Sequence, residues 1–194
     1  MTAEWLAAIA SIGTFIVIAA TAVAALIQLR HMRSSNQIVV LNEIRETMES
    51  EYFRETVEEV QKRLPTILAD PRIRSQIVQS TRLSEISELA PVRTLANFYE
   101  GCGAFVKAGI IDGDLVCDIW ASVVLRDWEA IAPLIANVRV ARDAPQVWTN
   151  FEYLAAVSRE YQRKHADDLY PKGTPREQMP PLWPEVTTKR DDAR

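Results

Sequence analysis

The sequence predicts an all-α protein in which a single N-terminal transmembrane helix is followed by a cytoplasmic helical bundle. Three observations predict this class. No charged residue occurs between Trp5 and Leu29. Farther along, apolar residues recur at the three- and four-residue steps of amphipathic helices, and no segment alternates for long as a strand does. We therefore expect an anchor at residues 1–34, a helical domain at 35–169 and a proline-rich flexible tail at 170–194.

The uncharged N-terminal stretch is long enough to span a bilayer. Its 25 positions make a helix of roughly 37 Å, against a hydrocarbon layer of about 30 Å. Glu4 precedes it, whereas Arg30, His31 and Arg33 follow it. The positive-inside rule therefore places the N-terminus outside and the bulk of the chain in the cytoplasm, at a bacterial inner membrane. A secretory signal would carry its basic residues before a shorter apolar core.

The composition of this stretch also predicts association between copies. Two helices that pair in lipid gain no hydrophobic free energy. Pairing is therefore favoured by small side chains, which let the two backbones approach closely. Small residues lie four positions apart in three pairs: Ala7 with Ser11, Ala10 with Thr14, and Ala20 with Ala24. The expected partners are the membrane and further copies of this chain, with another protein partner left unidentified.

The cytoplasmic part divides into helices at its prolines and acidic caps. Residues 36–64 read as one long helix, nearly continuous with the span, which Pro65 and Pro71 then break. Pro91 fits the first turn of a second helix that runs to Lys107, with Gly101 and Gly103 forming a close-packing notch inside it.

Two further helices complete the predicted bundle. Asp112 or Asp114 caps the first of them, which Pro133 bends or ends. Asp143 is expected to cap the last helix, with Pro145 in its first turn.

The charge and the cysteine and histidine content make two classes of function less expected, namely nucleic-acid binding and metal binding. A net charge of −4 gives no electrostatic reason for tight nucleic-acid binding. Cys102 and Cys117 lie in apolar helical runs and are expected to pack as small hydrophobes. With two cysteines and two histidines, all separated, no zinc-type ligand cluster is expected, and we expect no metal and no cofactor.

Arg159 and His165 are the weak catalytic candidates. Some helical nucleases use an arginine and a histidine separated by four to six residues, the histidine to transfer a proton and the arginine to stabilise phosphate charge. A spacing of six turns the two side chains roughly 120° apart on a helix. They need a distorted helix to converge on one phosphate, and a solvated polar face explains them as well.

Aromatic and charged residues adjoin one another at three places in the predicted bundle. Tyr99 and Glu100 lie in one such cluster, and Arg126 and Glu129 in another. These four are the weak candidates for a binding site. A mutually satisfied polar network that fixes the register of packed helices explains them equally.

Three segments carry a resemblance to a known group of proteins: NFYEGCGAFVKAGIID, the two tryptophans and glutamate from Trp120 to Glu129, and the element from Pro145 to Leu154. Together with the N-terminal span they resemble a bacterial family of uncharacterised, membrane-anchored helical proteins. A more distant similarity is to the membrane accessory proteins of RNA-targeting CRISPR systems, which implies a divergent helical, HEPN-like nuclease domain.

These observations favour a membrane-anchored, oligomeric, non-enzymatic protein that acts through protein–protein interaction or membrane gating. The alternative is an RNA-cleaving or phage-defence effector that uses Arg159 and His165, and RNA is an expected partner only under that alternative. A third hypothesis, a small-molecule sensor near Tyr99, Arg126 and Glu129, has the least support.

Overall fold

The computed structural model describes residues 3–80, 82–165, 170, 173–177 and 180, without the side chains of residues 4, 6–10, 30, 31 and 33–36. These described residues form six α-helices and two short 3₁₀ turns and contain no β-strand, which confirms the all-α class. The helices are α1 (Ala3–Glu49), α2 (Glu51–Ala69), α3 (Pro71–Gln79), α4 (Ala90–Lys107), α5 (Gly113–Ala141) and α6 (Thr149–Lys164), with the 3₁₀ turns at Leu83–Glu85 and Ser87–Leu89.

Helix α1 is continuous over 47 residues and has two different environments. Its stretch Ser11–Leu29 is long and apolar enough to cross a membrane, and no part of it is buried by the rest of the chain. Nearer its C-terminal end, Ile44 is buried in the core, and Val40, Leu41 and Met48 pack against that core. The predicted continuity of the apolar stretch with the following helix is therefore confirmed.

The prediction of one helix over residues 36–64 is wrong, because Ser50 divides it. Ser50 has an extended backbone, and its hydroxyl oxygen accepts a hydrogen bond from the Phe53 amide at 3.2 Å while donating to the Thr47 carbonyl at 2.7 Å. Serine caps helices in this way. The apolar stripe changes phase at the same place, since Tyr52 is exposed and Phe53 is buried.

Two prolines that were predicted to break or bend helices lie inside them instead. Helix α2 continues past Pro65 to Ala69, and α5 continues past Pro133 to Ala141. A proline inside a helix removes one backbone hydrogen bond and costs about 3 kcal/mol. Burial of the neighbouring turns offsets this cost, because Leu64 next to Pro65 and Leu134 next to Pro133 are each 1% exposed.

The core lies where α4 packs between α2 and α6, with α5 also against α6. Aromatic rings fill its centre: Tyr99 stacks on Phe151 with 4.8 Å between ring centres, and Trp128 meets the edge of Phe151 at 5.1 Å. Cys102 and Cys117 are buried free thiols. Burial raises the pKa of the Cys102 thiol to about 12, so it stays protonated at neutral pH, as expected of a packing residue.

The connection from α5 to α6 differs from the prediction. The last helix begins at Thr149, so Asp143 and Pro145 lie in the preceding turn rather than at its cap and first turn. Asp143 has a positive φ of 49°, a conformation that aspartate tolerates better than most residues. The group that caps α6 instead comes from α4.

Residues 165–194 form a second compact unit, separate from residues 1–164. Within it, the Tyr170 hydroxyl donates to the Pro175 carbonyl at 3.1 Å, and the Arg176 guanidinium lies 4.9 Å from the centre of the Tyr170 ring. Most of the predicted tail at 170–194 lies outside the described residues, and the expected boundaries of the three segments stay predictions.

The two glycines of the predicted notch differ, and this gives a matched pair of variants. A Cβ atom at Gly103 would lie 2.0 Å from the Asn150 carbonyl oxygen, whereas one at Gly101 would meet nothing within 4 Å. We expect Gly103→Ala to lower the free energy of unfolding by about 1–3 kcal/mol. Gly101→Ala should raise it by about 0.5–1 kcal/mol, because alanine favours the helix. Chemical denaturation of the detergent-solubilised chain measures both, and equal effects would contradict the close contact at Gly103.

Candidate functional site

The junction between α4 and α6 is built by three α4 residues spaced along one face: Asn97, Glu100 and Gly103. The Glu100 carboxylate accepts hydrogen bonds from the amides of Asn150 at 3.0 Å and Phe151 at 2.9 Å, and from the Asn150 side-chain amide at 2.9 Å. These amides belong to the first turn of α6, where backbone N–H groups lack helical partners and the helix dipole favours a negative charge. Glu100 is thus a capping residue supplied from another helix.

The residue before α6 has a strained backbone that the same face of α4 holds in place. Trp148 has a positive φ of 52°, which is rare for a bulky side chain. Its indole N–H donates to the Asn97 side-chain oxygen at 2.9 Å. The absent side chain of Gly103 then leaves room for the Asn150 carbonyl. The segment NFYEGCG therefore serves to fix the conformation of residues 148–151.

A second polar centre surrounds Asp127, which is fully buried. Its carboxylate accepts from the Tyr99 hydroxyl at 2.8 Å, the Gln61 amide at 3.0 Å and the Arg126 guanidinium at 2.9 Å. These bonds join α2, α4 and α5. Burial, and then the Asp127 charge, raise the pKa of Tyr99 above its usual value. The phenol therefore stays protonated and serves as a donor.

The structure brings some of the predicted site residues together and separates others. Tyr99 and Arg126 meet at Asp127, and Tyr99 is only 1% exposed. Glu129 instead forms an ion pair with Arg159 at 3.5 Å, and both side chains are more than half exposed. His165 follows the end of α6 and belongs to the second unit. The catalytic and binding roles of these residues stay predictions.

An apolar groove lies between α2, α3 and α5, and sequence reasoning missed it. Its volume is about 540 Å³. The side chains of Val78 and Val140 at its edge are 63% and 85% exposed. Its lining is Leu68, Arg74, Ile77, Val78, Pro133, Leu134, Asn137, Val140 and Ala141. Exposed aliphatic side chains around a groove can receive apolar side chains of another molecule.

The groove could not be recognised beforehand because α3 brings Ile77 and Val78 against α5 across more than fifty residues of sequence. In the described part of the chain, no group of three or more histidine, cysteine, aspartate or glutamate residues lies close enough together to hold a metal ion.

Comparison with known proteins gives one family and no individual relative. Residues 15–158 match the model of a domain of unknown function, DUF4760. The matched range includes most of the apolar stretch of α1, all of α2 to α5 and the junction at Glu100. No curated protein and no solved structure matches the chain.

Glu100 and Glu129 allow the junction to be tested against an exposed ion pair. Glu100→Ala leaves three donors of α6 without their acceptor, so we expect the free energy of unfolding to fall by about 1–3 kcal/mol. Glu129→Ala removes only the exposed pair with Arg159 and should cost about 0.5 kcal/mol or less. Thermal unfolding followed by circular dichroism measures both. A loss at Glu100 no larger than that at Glu129 would show that the cap contributes little.

Proposed function

The chain belongs to the DUF4760 family, and we propose that it is a single-pass inner-membrane protein that acts by binding other protein chains. Its N-terminus lies outside and its helical domain in the cytoplasm. Copies of the chain associate with one another through the membrane span. The cytoplasmic domain binds a different protein partner.

The observation that carries the membrane assignment is the complete exposure of an apolar helix. None of the stretch Ser11–Leu29 is buried by the rest of the chain. Monomeric soluble proteins rarely expose contiguous apolar patches of more than a few hundred Å². A stretch of this length satisfies all its backbone hydrogen bonds internally, which is what hydrocarbon requires of a spanning segment. The basic residues on its C-terminal side support the proposed orientation.

The assignment to binding rather than chemistry rests on how the polar groups are used. The carboxylates of Glu100 and Asp127 accept hydrogen bonds that hold helices together. The groove near Val140, in contrast, is apolar and open. An exposed apolar groove on a domain held at a membrane is typical of a site for a partner protein.

RNA cleavage receives no support from the arrangement around Arg159. Its guanidinium already has an acidic partner in Glu129. That pair is more than half exposed and weak, so it leaves the cation accessible and by itself gives no reason to place a phosphate there. The proposal therefore does not include a nuclease activity or a link to CRISPR systems.

Two arginines placed in the apolar stretch test the membrane assignment. Each arginine near the centre of a span costs about 2.5–3.5 kcal/mol on insertion, so we expect Ile18→Arg combined with Val23→Arg to release the chain from membranes. Val140→Arg, a charge of the same kind on the exposed surface of the domain, should leave the chain in the membrane fraction. Alkaline extraction followed by ultracentrifugation measures the distribution.

The same preparation separates an anchor from a signal sequence. The intact mass of the unsubstituted chain is expected to include residues 1–34. A chain found shortened by cleavage after the apolar stretch, or found in the supernatant without detergent, would contradict the proposal.

Association through the span is tested with two pairs of substitutions on opposite faces. Ala20→Ile with Ala24→Ile enlarges the small-residue face, and we expect it to lower crosslinking between copies in native membranes several-fold. Ala22→Ile with Ala25→Ile changes a face about 150° away and should have little effect. Equal crosslinking of the two variants would contradict this interface, and a strictly monomeric unsubstituted chain would contradict association altogether.

A further inference from the structure

We propose that an apolar patch formed by Phe105, Ile110, Leu115 and Ile119 rests on the lipid headgroups of the bilayer that α1 crosses. This inference rests on the proposed membrane span. All four side chains are large, apolar and at least 39% exposed. The patch lies at the end of the domain that faces the span, as the groove lined by α4 and the C-terminal part of α1 indicates.

The first step is the direction of α4 relative to α1. A small groove between the two helices is lined by Val40, Ile44 and Thr47 of α1 and by Phe98 and Phe105 of α4. The Phe98 ring lies 4.6 Å from the ring of Phe53, just after the break at Ser50 that ends α1. Helix α4 therefore passes the C-terminal end of α1 first and then runs back toward the span.

The second step is the distance from the bilayer. Val40 follows Leu29, the last residue of the apolar stretch, by a helical rise of roughly 17 Å. Helix α4 continues beyond Phe105 to Lys107, and the turn to Asp112 extends farther toward the span. The headgroup layer on each side of the hydrocarbon is about 5–7 Å thick. Val40 thus stands about 10 Å outside the headgroup layer, and the last residues of α4, the turn and their side chains extend into this gap.

The third step is the turn itself, which points one isoleucine outward. Gly109 has a φ of +65°, and the Phe105 carbonyl then accepts the amides of Ile110 at 2.9 Å and Ile111 at 3.4 Å. Ile111 is buried, whereas Ile110 is 45% exposed. Leu115 and Ile119 follow on one face of the first two turns of α5, since residues four apart share a helix face.

The charges at this end favour apolar contact over attraction to anionic lipid. Lys107, Arg163 and Lys164 add positive charge, but Asp112, Asp114, Asp118 and Glu160 offset it. Asp112 also caps α5 by accepting the Leu115 amide at 3.0 Å, and Asp118 accepts the Tyr161 hydroxyl at 3.0 Å. A nearly balanced set of charges around apolar side chains suits a zwitterionic headgroup surface.

The contact would fix how the domain stands on the membrane. Helix α5 begins at the patch and ends 29 residues later at Ala141, a length of roughly 43 Å. The apolar groove near Val140 then lies at the far end of the domain. It is held open to the cytoplasm, where a protein partner can reach it.

Nitroxide spin labels on the full-length chain test this arrangement. The label is attached at Ile110→Cys and, as a matched control, at Val140→Cys, in phosphatidylcholine nanodiscs that contain a few per cent of a nickel-chelating lipid. The buried free thiols of Cys102 and Cys117 are replaced by Cys102→Ala and Cys117→Ala in every labelled chain, so that they cannot take up the label. We expect headgroup nickel to enhance the relaxation of the label at 110 several-fold over that at 140. Equal relaxation at the two positions would overturn the proposal.

A third label separates this inference from the proposed function. A label at Ala19→Cys, inside the span, should be accessible to oxygen and protected from a soluble nickel complex. Loss of that protection would overturn both the span and the contact. A protected label at 19, together with spin–spin broadening at 110 and no nickel effect there, would mean that a second copy covers the patch, and would overturn the lipid contact alone.

Discussion

One continuous helix joins an exposed apolar stretch to the core of the domain. The positions of the other helices depend on this continuity. No part of the stretch Ser11–Leu29 is buried by the rest of the chain, whereas Ile44 in the same helix is buried in the core of the bundle. A rigid helix carries no flexible linker between these two halves. The environment that surrounds the apolar half therefore also sets the position of the domain.

Within the domain, helix α4 fixes the other helices through buried polar contacts. Glu100 caps α6 from outside it, and Tyr99 bonds to Asp127 of α5. Adjacent residues of one helix thus serve two neighbours on different sides. The hydrogen bonds of the Glu100 and Asp127 carboxylates go to groups within the domain, as is usual for buried polar groups. The same contacts that give the fold its register explain why aromatic and charged residues adjoin one another in the sequence.

The helical class, the apolar stretch and the cap at Asp112 could be predicted because each depends on neighbours within a few positions. Pro65 and Pro133 misled the prediction because long-range packing outweighs a local loss of one hydrogen bond. The start of α6 was misplaced at Asp143 because its capping carboxylate, Glu100, comes from fifty residues earlier. The change of phase between Tyr52 and Phe53 was a local signal of the break at Ser50. The groove near Val140 depends on contacts between distant helices, which no single segment encodes.

The most direct measurement of the central claim is the side of the membrane on which each end of the chain lies. Cysteines placed at Ala3 and at Val140, both exposed, are treated in intact spheroplasts with a maleimide that cannot cross membranes. A chain that crosses once with its N-terminus outside is labelled at position 3, and at position 140 only after the cells are lysed. Labelling of both positions before lysis, or of neither, would contradict a single crossing, and labelling of position 140 alone would reverse the orientation.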